Sequence, residues 1–92
     1  MTLLEAIQNL GQLDEDFTIY ASTPWSVNSV VTVEYEPEDG STPSEASKLG
    51  LDYFLEVFIA KEFIEGWLSN LNFKPSDEDI CKRIIDYAEN DA

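Results

Sequence analysis

The sequence predicts an α+β domain: a three-stranded antiparallel sheet packed with three helices, in the order α-β-β-β-α-α. Three observations carry this reading. Apolar residues recur at helical spacing near the two ends of the chain. Three stretches alternate apolar and polar residues with period two. The segment 51–71 changes period part-way along, from strand to helix.

Thr2 and Glu5 have the spacing of a capping box, and Leu3, Leu4, Ile7 and Leu10 follow at helical intervals. Gly11 ends this short first helix. Asp14-Glu15-Asp16 is an acidic turn. Phe17, Ile19 and Ala21 then alternate with Thr18 and Tyr20 as the first strand. Ser22-Thr23-Pro24-Trp25 breaks it. A second strand is predicted from Ser29 to Glu36, with Val31, Val33 and Tyr35 on one face and Val30, Thr32 and Glu34 on the other. Pro37 ends that strand, and 38–44 is the longest loop signal in the chain.

The segment 51–71 resembles one long helix until its charges are phased. At about 100° per residue, Asp52 and Glu56 fall opposite Lys61, Glu62 and Glu65, which a single amphipathic helix would not allow. A break near Ile59 removes the conflict. Leu51, Tyr53, Leu55, Val57 and Ile59 then form a strand face, with Asp52, Phe54, Glu56 and Phe58 on the other. Ala60, Phe63, Ile64, Trp67, Leu68 and Leu71 form the stripe of a helix. Ser76 caps the last helix, and Asp77, Glu78 and Asp79 oppose the positive end of its dipole. Ile80, Cys81, Ile84, Ile85 and Ala88 are its buried stripe. Three strands joined by turns suggest a meander whose apolar face the helices cover. The other face would carry Tyr20, Thr32, Glu34, Asp52, Phe54, Glu56 and Phe58, an uncommon mixture of acids and aromatics.

All 92 residues read as a single domain (1–92) with one modest core. Charge is the feature that points to function. Nineteen acids stand against five bases and no His, for a net charge of −14. The first basic residue is Lys48, so the chain up to Ser47 holds nine acids and no side-chain cation. Such a surface repels nucleic acid and anionic lipid and speeds encounter with basic partners. A single cysteine, Cys81, forms no internal disulfide, and a reducing cytoplasm is the expected compartment. No apolar stretch approaches the ~20 residues of a membrane helix.

No chemistry-bearing motif stands out. The chain has no His for general-base work and no Gly-rich phosphate loop, and no Ser or Cys has a plausible activating partner. No turnover and no cofactor are therefore expected. Asp14 to Asp16 and Asp77 to Asp79 lack the spacing of a calcium loop, so they read as a solvated turn and a helix cap, and no metal site is assigned. Cys81 reads as a small buried hydrophobe.

The candidate partner-binding residues are acids and aromatics. Glu34, Glu36, Glu38 and Asp39 form the densest acidic cluster, and Asp14, Glu15 and Asp16 add to it. Asp52 and Glu56 share the polar strand face with Phe54. Trp25, following Pro24, is either an exposed anchor or a plug over one end of the sheet. Phe54 and Phe58 are core if a helix covers their face and interface anchors if none does.

The stretch from Tyr53 to Trp67 resembles the strand-then-helix segment of a family of small uncharacterised bacterial proteins, over about a sixth of the chain. In size, acidity and cysteine poverty the chain is similar in type to bacterial immunity proteins, which neutralise nuclease toxins. That likeness implies an acidic inhibitor of a basic protein, binding no nucleic acid directly and no membrane. Two rivals stand beside it. A phage-type DNA mimic that inhibits a host defence enzyme by occupying its DNA channel would show a long regular acidic strip. A structural or regulatory subunit would show an exposed apolar helix face and a symmetric dimer.

Overall fold

Thr2 caps the first helix as its spacing predicts. In the computed structural model, which describes residues 1–90, the Glu5 amide donates to the Thr2 hydroxyl (3.2 Å) and the Glu5 carboxylate accepts from the Thr2 amide (2.9 Å). Helix α1 (Leu3–Gln8) follows, then a short 3-10 turn, Leu10–Gln12. Strands β1 (Thr18–Ala21) and β2 (Val31–Glu34) come next, then helix α2 (Ser44–Lys48) and strand β3 (Asp52–Glu56). Helices α3 (Val57–Ser69) and α4 (Asp77–Asn90) complete the described chain. The α+β class and the antiparallel three-stranded sheet are as expected. The strand-to-helix break falls between Glu56 and Val57, three residues before Ile59 at most.

The sheet is not a meander. Its order is β2-β1-β3, with β1 antiparallel to both neighbours. β2 and β3 therefore run parallel to each other, and a tight turn cannot join parallel strands. The connection 35–51 crosses the sheet instead and carries α2, a helix the loop reading missed. Its C-terminus is a Schellman motif: the Leu51 amide donates to the Ala46 carbonyl (2.9 Å) and the Gly50 amide to Ser47 (3.1 Å). Gly50 takes φ +69° there, a left-handed conformation that favours glycine.

A register shift on β3 produces the second departure. Ile19 pairs with Leu55 and Tyr20 with Tyr53, so Phe54 is an extra residue, a β-bulge. Alternation breaks at that point. Phe54 and Leu55 both enter the main core, while Tyr53, expected inward, is 44% exposed. Phe54 is 1% exposed and meets the Trp25 ring edge-on at 4.8 Å. The Trp25 indole N–H donates to the Ala21 carbonyl (3.3 Å). Trp25 is therefore the plug, and neither ring is an exposed anchor.

The main core lies between one sheet face and helices α1, α3 and α4. It contains Leu3, Ala6 and Ile7, Ile19 and Ala21, Val57 and Ala60, and Cys81 and Ile84. On the other face α2 forms a small second cluster, in which Ala46 and Leu51 pack on Tyr20. The N-terminus covers part of the β2 edge: the Val31 amide donates to the Met1 carbonyl (3.0 Å) and the Leu3 amide to Ser29 (2.8 Å).

Candidate protein-binding site

The antiparallel sheet gathers acids that the sequence keeps apart. β1 begins where both of its neighbours end, so Glu34 and Glu56 each lie opposite Thr18, one on either side. Glu36 extends the same face two residues beyond Glu34. Asp14-Glu15-Asp16 leads directly into β1, held as a turn by the Asp16 amide donating to the Asp14 carboxylate (2.9 Å). The start of α3 is tied to the same end, because the Val57 amide donates to the Phe17 carbonyl (2.9 Å).

Phe58 then lies in a groove of about 340 Å³ lined with Glu15, Asp16, Lys61, Glu62 and Glu65. Glu62 and Glu65 are not among the candidates the sequence offers, where they serve only to phase the charges of the segment 51–71. Their spacing from Phe58 along α3 was the available signal, usable only once the strand-to-helix break was placed.

One cation serves this end. The Lys61 ammonium donates to the Leu13 carbonyl (3.0 Å) and lies 3.7 Å from the Glu15 carboxylate. Its side chain is only 19% exposed, against 68% for Glu15, so its charge is drawn inward and the carboxylates face water. The first half holds no side-chain cation of its own, yet Lys61 pairs with Glu15 and Lys48 with Glu45. The other ion pairs among the described residues are Lys48–Glu45, Lys82–Glu78 and Arg83–Asp86, so none reaches Glu34, Glu36 or Glu56.

Three aromatic rings are exposed around these acids. Phe58 is 43% exposed and Tyr53 44%. Tyr35, expected on the core face, lies just past the end of β2, largely exposed and edge-on to Phe17 at 4.4 Å. Tyr20 is buried, and burial raises its hydroxyl above the usual tyrosine range, with the charges of Glu36 and Glu34, then Tyr53 and Glu56, adding to the effect. Burial likewise raises Tyr53, followed by Glu56 and Glu36. The Thr32 hydroxyl donates to the Glu34 carboxylate (2.9 Å), which holds that side chain along the strand.

The remaining candidates go elsewhere. The bulge puts Asp52 and Glu56 out of phase, so Asp52 lies opposite Ala21 at the far end of the sheet, with the Thr23 hydroxyl 3.5 Å away. Trp25 is at that far end too, and Phe54 is core. Glu38 and Asp39 are exposed on the loop after Pro37. There Ser41 donates to the Asp39 carboxylate (3.0 Å) and holds it below the usual range. Among the described residues, neither acid makes a hydrogen bond or ion pair with the groove.

Among the described residues, no group of three or more metal-ligating side chains is placed to hold an ion. No helix among them is long and apolar enough to cross a membrane. Comparison with protein-family models, with curated proteins and with solved structures finds no match. The reading of this site therefore rests on its own geometry.

Proposed function

We propose that this chain is an acidic protein-binding inhibitor of a basic partner, and specifically an immunity protein that neutralises a nuclease toxin in the cytoplasm. The observation that supports it most is the acidic end of the sheet. Glu34, Glu36 and Glu56 have no ion-pair partner among the described residues, and a groove of four further carboxylates surrounds the exposed ring of Phe58. Nuclease domains present cationic clefts to the phosphate backbone. Carboxylates steer such a cleft toward this surface, and exposed aromatics give it contact area once it has docked. Acids grouped around aromatic rings suit protein docking better than a phosphate-like strip, which favours an immunity protein over a DNA mimic. In this role the chain acts by occupation, with no turnover of its own.

The test begins with affinity capture from the source cells and mass spectrometry of the bound chain. The captured protein is then assayed for nucleic-acid cleavage while this chain is titrated in. The proposal expects a basic nuclease whose activity falls to zero at one equivalent. A captured partner that is acidic, or a nuclease whose activity is unchanged at excess, contradicts it.

A further inference from the structure

Tyr20 holds a buried polar group without a partner among the described residues. The residue is 2% exposed, and its hydroxyl has no hydrogen-bond partner among the described residues. A buried hydroxyl left in this state bears its desolvation cost without return. The surrounding groups are unusual for such an atom. Tyr20 lies in β1 between Thr32 and Tyr53, one row from Glu34 and Glu56 and on the same face. The charges of Glu36, Glu34 and Glu56 all act on its hydroxyl, after burial. Glu34 and Glu56 are half-buried and Glu36 is exposed. The Tyr53 ring stands edge-on to Tyr20 at 6.3 Å and is itself open to solvent.

We propose that Tyr20, Tyr53, Glu34, Glu36 and Glu56 form a seat for one arginine side chain of the basic partner. Arginine fits better than lysine for two reasons. Its planar fork matches carboxylates on two sides, and its flat face packs on an aromatic ring such as Tyr53. A guanidinium N–H donates to the Tyr20 oxygen, while the Tyr20 proton is directed to a glutamate. Both halves of the orphaned hydroxyl are then used, and two carboxylates gain the cation they lack. The seat deepens the inhibitor reading and rests on it. It is separate from the groove around Phe58, where Lys61 already supplies a cation.

The test uses N-acetyl-arginine methylamide as the probe, titrated into the full chain at low salt and followed by NMR. The neutral citrulline analogue is the control. The seat predicts saturable shifts centred on Tyr20, Tyr53, Glu34 and Glu56 with the arginine probe and none with the control. Tyr20→Phe removes only the unpartnered atom, so it folds. It should weaken probe binding about tenfold, as expected for one hydrogen bond to a charged group. Equal affinity in Tyr20→Phe and the native chain overturns the seat, as do unsaturable shifts spread over all the acids. Either result leaves the inhibitor reading intact if the captured nuclease is still neutralised, so the two failures are distinguishable.

Discussion

Glu34 and Glu56 lie on either side of Thr18, on the two strands that flank β1. They are two strand spacings apart, about 10 Å, close to the Debye length at about 0.1 M salt. Twenty-one intervening positions, including a crossing loop and a short helix, hide this proximity in the sequence. It creates a local concentration of negative charge that the fold tolerates and, on the reading above, uses.

Such a pair should weaken the fold at low ionic strength. Replacing both, Glu34→Gln with Glu56→Gln, is expected to raise the melting temperature by about 2–4 °C in dilute buffer, as roughly half a kcal/mol does in a domain of this size. The gain should shrink at high salt, where the native chain is already screened. Thermal scans at two salt concentrations check this. A lower melting temperature in the variant would show that the two charges do not repel appreciably.

Phe54 and Trp25 should behave as core residues. Phe54→Ala is expected to cost about 3–5 kcal/mol of stability, the usual range for a buried ring. Trp25→Phe, which loses the hydrogen bond to Ala21, should cost about 1 kcal/mol. Urea unfolding measures both. A fully stable Phe54→Ala chain would return this ring to the surface and to the list of anchors.

Lys61 offers a sharper separation of fold from function. Its ammonium supports the Leu13 carbonyl and Glu15 at once. Lys61→Met should lower stability by about 1 kcal/mol and also quicken association with a basic partner, because the acidic end then has no cation. Stability and association rate moving in opposite directions would be the signature. A slower association would mean that Lys61 contacts the partner favourably.

Cys81 contributes to the alkaline limit, beside Tyr20 and Tyr53, whose hydroxyls burial also raises. Burial, with Glu78 adding to it, pushes its thiol up to about 11. The fold thus favours the neutral thiol. Its contribution to stability is complete below the ordinary thiol value of 9.0 and is lost as pH rises through about 11. The full loss is worth about 3 kcal/mol. Unfolding midpoints at pH 8 and pH 10.5 should differ in that direction, and less so in Cys81→Ala. Maleimide labelling at pH 8 should be as slow as global unfolding, and fast labelling of the native chain would place the thiol at the surface.

The sequence carried the periodic elements well. The capping box at Thr2, the strand-to-helix break after Glu56 and the dipole-matched start of α4 all follow from local chemistry that the fold preserves. Three features were less legible. The bulge at Phe54 inserts one residue, and alternation gives no warning of it because Phe54 and Leu55 are both apolar. The position of β1 between β2 and β3 depends on tertiary pairing, which periodicity does not encode. Helix α2 had a local signal in Pro43 and Gly50, an N-terminal proline and a C-terminal glycine, obscured by the polar loop before it. The candidate site divided accordingly. Asp14 to Asp16, Glu34, Glu36 and Glu56 converge because antiparallel pairing brings the ends of distant strands together. Asp52, Phe54 and Trp25 separate from them because of the bulge and the plug.

The central claim is that the acidic end of the sheet captures a basic protein, and association kinetics test it most directly. The captured partner would be mixed in a stopped-flow instrument with the native chain and with a variant carrying Glu15→Gln, Asp16→Asn, Glu34→Gln, Glu36→Gln and Glu56→Gln. Rates would be taken at low and at near-physiological salt. The account predicts an association rate for the native chain that falls steeply with salt. The variant should be slower by about tenfold or more at low salt and nearly insensitive to salt. Equal rates for the two proteins at both salt concentrations would contradict the claim and remove this surface from the encounter.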